Sequence, residues 1–167
     1  ILRKKINKFR NNPIRKETLV DSLMMLHEMR IATYPRYAVT AKTNKAMDMM
    51  TFASKGKEKE VFDVLGDAMD TAKEKTAIVI PVRYMSYAND LYKAGTMSGE
   101  EVMAAYTKAY ETAELIEKAK PSQAVTDAKK DIENLLMISG VASCENLVDM
   151  FSPRYEANPQ DKYMLGN

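Results

Sequence analysis

Apolar residues recur near every third or fourth position along this chain, the period of a helix with one buried face. Leu19, Val20, Leu23, Leu26 and Ile31 predict a helix over 15–33. The Tyr34-Pro35 step should end it, because the residue before a proline is pushed out of the helical region. A second helix is predicted over 37–54, with Gly56 as its C-terminal cap. A third runs over 57–75 with Val61, Phe62, Leu65, Ala68 and Met69 inward.

The stretch AIVIPV (Ala77–Val82) is β-branched enough for a strand. A lone strand has no pairing partner, however, and Pro81 would remove a ladder donor. In a helix's first turn that donor is unpaired anyway, so a helix over 78–94, ended by Gly95, is the better reading. Ser98 and Glu101 form a capping box opening a helix to about Ala119. Helices over 122–139, ended by Gly140, and from Ser143 to about Ala157 follow. Asn158-Pro159 reads as the start of one more. The connections are short, so successive helices should pack as antiparallel neighbours.

The chain also repeats itself. ETLVD (Glu17–Asp21) and ENLVD (Glu145–Asp149) share four of five letters, 128 residues apart. Between them, Leu19-x3-Leu23-x2-Leu26 is echoed by Val61-x3-Leu65-x2-Ala68, Val102-x3-Tyr106-x2-Ala109 and Leu147-x3-Phe151-x2-Arg154, at steps of 42, 41 and 45 residues. One helical hairpin of about 43 residues recurs. Leu19 and Leu147 should then face inward, with Glu17 and Glu145 near helix N-termini, where negative charge is favoured.

Within the unit, Tyr84-x2-Tyr87-Ala88-x2-Leu91-x3-Gly95 precedes the Val102 copy, and Pro159 lies twelve after Leu147. In these positions the chain resembles the tetratricopeptide repeat. Segments such as LYKAGTMSGEEVMAAY and SCENLVDMFSPRYEANPQD look like divergent members common in Bacteroidetes. Lys45 and Lys129 stand where the first aromatic belongs, Arg154 replaces a small residue, and the units exceed the usual 34 residues. The resemblance implies an all-α, right-handed solenoid of antiparallel helical hairpins over 1–167, about three complete hairpins with partial end helices. Such a scaffold holds a protein or peptide in its concave groove. Register places Ala46, Met50, Met85, Asn89, Tyr92 and Asn134 in that groove, the asparagines able to grip a peptide backbone.

Composition agrees with the helical reading. Thirteen Met, six Gly, six Pro and no Trp leave a chain rich in helix formers. The Met cluster (Met24, Met25, Met29, Met47, Met49, Met50) reads mainly as gap filler between helices, with an adaptable binding surface as the alternative. Net charge is +2, but the first 16 residues hold seven Lys or Arg and no acid. Leu2, Ile6 and Phe9 at helical spacing make this the wet face of an amphipathic helix. Nucleic-acid or anionic-surface binding through it is the alternative function, and nucleic acid is not the expected partner.

No apolar run is long enough for a membrane helix. The chain opens on Ile inside an apparent helix and is expected to be a fragment of a longer protein. Cys144 is the only cysteine, which fits either a reducing compartment or an external pairing partner. The family resemblance implies export or the periplasm, with the cytoplasm as the alternative.

Catalytic signals are absent. His27 is the only histidine, and no HxxxH, CxxC or HExxH spacing suggests a metal. Glu100/Glu101 and Asp127/Asp131 read as solvated helix surface, and no phosphate-cradling glycine loop appears. No enzyme and no cofactor is expected.

Overall fold

The structure, a computed structural model, describes residues 1–52, 56–75 and 77–157, with side chains described at all of these except 39, 71, 73–75 and 153–157. Among the described residues the fold is all-α. The helices are α1 (Leu2–Lys8), α2 (Pro13–Thr33), α3 (Ala38–Phe52), α4 (Glu58–Lys75), α5 (Val79–Lys93), α6 (Gly99–Ala119), α7 (Gln123–Ile138) and α8 (Cys144–Ala157), with a 3-10 turn at Pro35–Tyr37. Ser54, the Arg154 side chain and the Asn158-Pro159 helix start lie outside the described residues.

Local chemistry explains the boundaries. Asn12 caps α2, its Oδ1 accepting from the Arg15 amide at 3.1 Å, and Pro13 takes the first helical position. The Ser98–Glu101 box is complete: the Glu101 amide donates to Ser98 Oγ at 3.2 Å and the Ser98 amide to Glu101 Oε2 at 2.8 Å. Ser143 and Asn146 reciprocate in the same way at the start of α8. At the end of α5, Gly95 adopts φ +73°, its amide donating to the Tyr92 carbonyl and that of Thr96 to Leu91, both at 2.9 Å. This is a Schellman turn, which needs a left-handed residue at Gly95. AIVIPV is helical from Val79, with Pro81 buried in the first turn of α5.

Each helix from α1 to α6 packs against its successor, and α4 also meets α6 while α5 meets α7. The main core spans α3 to α8 and includes Leu65, Met69, Ile80, Met85, Tyr106 and Leu136. A smaller cluster joins α1, α2 and α3 through Ile6, Val20, Leu23 and Phe52. Met24 packs against both.

The repeated stations sit in these cores. Val61, Leu65, Ala68, Val102, Tyr106, Ala109 and Phe151 are buried, while Leu19 and Leu147 are half-buried and Leu26 is exposed. Glu145 occupies the first turn of α8 as expected. Glu17 does not occupy the first turn of α2, because Asn12 and Pro13 start that helix earlier. Met49 is buried, Met24, Met47 and Met50 are half-buried, and Met25 and Met29 are exposed.

Candidate functional site

The side-by-side packing of α5 and α7 leaves a cleft of about 340 Å³ between them. Val82, Met85 and Ser86 line it from α5; Asp131, Ile132, Asn134, Leu135 and Ile138 line it from α7. Met85 is fully buried and forms an apolar floor. Asn134 is exposed on the rim, and Ile138 is 78% exposed. An exposed isoleucine beside a free amide and a serine hydroxyl offers apolar contact together with donor and acceptor groups.

The cleft brings together two of the six residues predicted from register, Met85 and Asn134. The other four lie elsewhere. Ala46 is fully buried in the main core, and Met50 is half-buried against it. Asn89 is 7% exposed, and its Oδ1 accepts from the Tyr106 hydroxyl at 2.9 Å. Tyr92 is 37% exposed near the end of α5. Burial pushes the Tyr106 phenol up from its usual value, opposed by a hydrogen bond with Ser139, so Tyr106 keeps the proton it donates in the hydrogen bond to Asn89.

Two buried polar clusters escaped the sequence reading. Asp48 on α3, 4% exposed, accepts from Arg3 Nε at 2.7 Å and from Arg3 Nη2 at 2.9 Å. His27 Nε2, on α2, lies 2.7 Å from the same carboxylate, and His27 Nδ1 is buried with no hydrogen-bond partner among the described residues. The available signal was that Val20, Leu23 and His27 form one apolar-spaced stripe; their long-range partners were invisible. The second cluster centres on Lys129 of α7, 5% exposed, which donates to Glu114 Oε1 at 3.3 Å and Glu117 Oε2 at 2.9 Å on α6. Its ammonium also lies 5.4 Å from the Tyr110 ring centroid. Lysine at this station therefore exchanges aromatic packing for an ion network.

His27 is 2% exposed, and no group of three or more metal-ligating side chains exists among the described residues. No described helix is long and apolar enough to cross a membrane. Cys144 is exposed and unpaired within the chain. No family model, curated protein or solved structure matches this chain.

Proposed function

We propose that this chain is a non-enzymatic interaction module, a tetratricopeptide-like right-handed solenoid that binds a peptide or protein segment in the α5/α7 cleft. The observation that carries this reading is the juxtaposition of the Met85 floor, the Asn134 amide and the exposed Ile138 in one cleft. The repeat spacing supports the solenoid arrangement. An apolar side chain of the ligand packs over Met85 and Leu135, and Asn134 pairs with its backbone.

A displayed random-peptide library, selected on the full chain, supplies the ligand for the test. Binding of a selected peptide should weaken roughly tenfold in Asn134→Ala and further in Ile138→Glu, as expected when a hydrogen bond or a central apolar contact is lost. Selection that yields no peptide, or peptides indifferent to both changes, overturns the reading.

A second reading, polyanion binding through the N-terminal segment, is favoured by one observation. Lys4, Lys5, Lys8 and Arg10 are exposed and have no ion-pair partner among the described residues, while Ile6 of the same helix is buried inward. Salt-dependent binding to duplex DNA, lost when these four are neutralised, distinguishes it from the peptide reading.

A further inference from the structure

The seam between α2 and α3 is closed in its middle by the His27–Asp48 pair and opens where the chain turns from one helix to the other. Tyr34 leaves the helical region before Pro35, and the 3-10 turn brings the chain round into α3. The opening is a pocket of about 300 Å³. Arg30 and Tyr34 line it from α2, Tyr37 from the turn, and Thr40, Ala41 and Asn44 from α3. Its floor is closed, since Ala41 is 5% exposed, whereas Tyr34 and Tyr37 are 53% and 52% exposed.

The charge of this pocket is one-sided. No carboxylate lines it among the described residues. Arg30 is exposed and has no ion-pair partner among the described residues. Arg36 is not part of the lining; its guanidinium carbon lies 4.8 Å from the Tyr37 ring centroid. Glu28, two residues before Arg30, is already paired with Lys45. Two half-exposed aromatic rings, an unpaired guanidinium, an amide and a hydroxyl thus surround one small concave space. A solvated surface arginine explains Arg30 alone, but not the tyrosines held around a closed floor beside it.

We propose that this pocket binds a small aromatic acid. The ring of the ligand lies against Tyr34 and Tyr37, its acid group pairs with Arg30, and Asn44 and Thr40 supply neutral hydrogen bonds. The volume sits at the lower end of ligand pockets, which suits a one- or two-ring acid and excludes a dinucleotide. Charge complementarity selects the acid over its neutral analogue, because a charge-assisted pair is about twice as strong as a neutral hydrogen bond. The site is separate from the α5/α7 cleft, so either proposal can fail without the other.

The test is a titration of the full chain, labelled with nitrogen-15, with phenylacetate and separately with phenylacetamide. Phenylacetate should shift the backbone amides of residues 30–44 saturably, and phenylacetamide should bind roughly tenfold more weakly. Arg30→Gln should bring phenylacetate down to the level of the amide, and Tyr34→Leu should weaken both probes. Arg30 and Tyr34 are exposed, and unchanged amide positions elsewhere in each variant establish that it folds. Asn134→Ala should bind phenylacetate as the parent chain does. Equal response to acid and amide, an unchanged affinity in Arg30→Gln, or shifts centred outside 30–44 would each overturn the proposal.

Discussion

His27 Nε2 and Asp48 Oδ2 meet at 2.7 Å between α2 and α3, in a place where both side chains are almost wholly buried. The same carboxylate holds Arg3 of α1 with both oxygens, so one aspartate fastens three helices.

Asp48→Ala should therefore cost about 3 kcal/mol, because it strands a buried imidazole and unties α1 and α2 from α3 together. Arg3→Gln should cost less, about 1 kcal/mol, since the Arg3 side chain is 55% exposed and glutamine can still donate a hydrogen bond to the carboxylate that His27 also holds. Urea unfolding of both variants measures the contrast. Equal losses would mean that Asp48 acts only as a surface partner of Arg3.

Tyr106→Phe removes the only donor seen at Asn89 Oδ1 and keeps the ring in the core. The expected loss is about 1.5 kcal/mol, the usual cost of leaving a buried polar atom unpaired. The double variant Tyr106→Phe/Asn89→Leu should recover part of that loss, read as a coupling energy in a thermal-melt cycle.

Lys129→Met should destabilise by about 2 kcal/mol, because Glu114 and Glu117 then face each other without their shared cation. Their side chains are 30% and 29% exposed, which keeps the cost below that of a fully buried pair. Adding Glu114→Gln and Glu117→Gln should restore most of it. A triple variant as weak as the single one would show that the lysine stem, and not its charge, holds the seam.

The capping box predicts a pH dependence. The Ser98 hydrogen bonds, backbone first and hydroxyl second, hold the Glu101 carboxyl below its ordinary value of 4.5. A depressed folded value means that the ionised carboxylate favours the fold. Its contribution is complete above the unfolded value and disappears as pH falls through the folded one. Glu101→Gln keeps a hydrogen-bonding side chain but does not titrate. The parent chain's advantage over Glu101→Gln in melting temperature should be constant near neutrality and shrink below about pH 4.5.

Most of the helical scheme was legible because its signals are local. Ser98 and Glu101 stand three residues apart, Gly95 and Gly140 take the left-handed turns they suggest, and Pro81 argues against a strand from within six residues. The groove was less legible, because facing depends on partners far along the chain. Asn89 has helical register for a groove, yet Tyr106, seventeen residues away, takes its oxygen. Asp48 is linked to residues 21 and 45 positions distant, which no periodicity reports. Glu17 was misplaced for a local reason: the Asn12-Pro13 start is a stronger signal than the five-letter match.

Met24 is a half-buried side chain that packs against both the small N-terminal cluster and the main core. α1 and α2 are thus coupled to the rest of the chain through Met24 and through their packing and Asp48 ion pairs with α3. Amide hydrogens of α1 and α2 should thus exchange by a smaller opening than those of α5 and α6, giving the molecule a graded order of release from its amino-terminal end. Stiffening that contact with a branched side chain at position 24 would make the two clusters exchange more nearly as one.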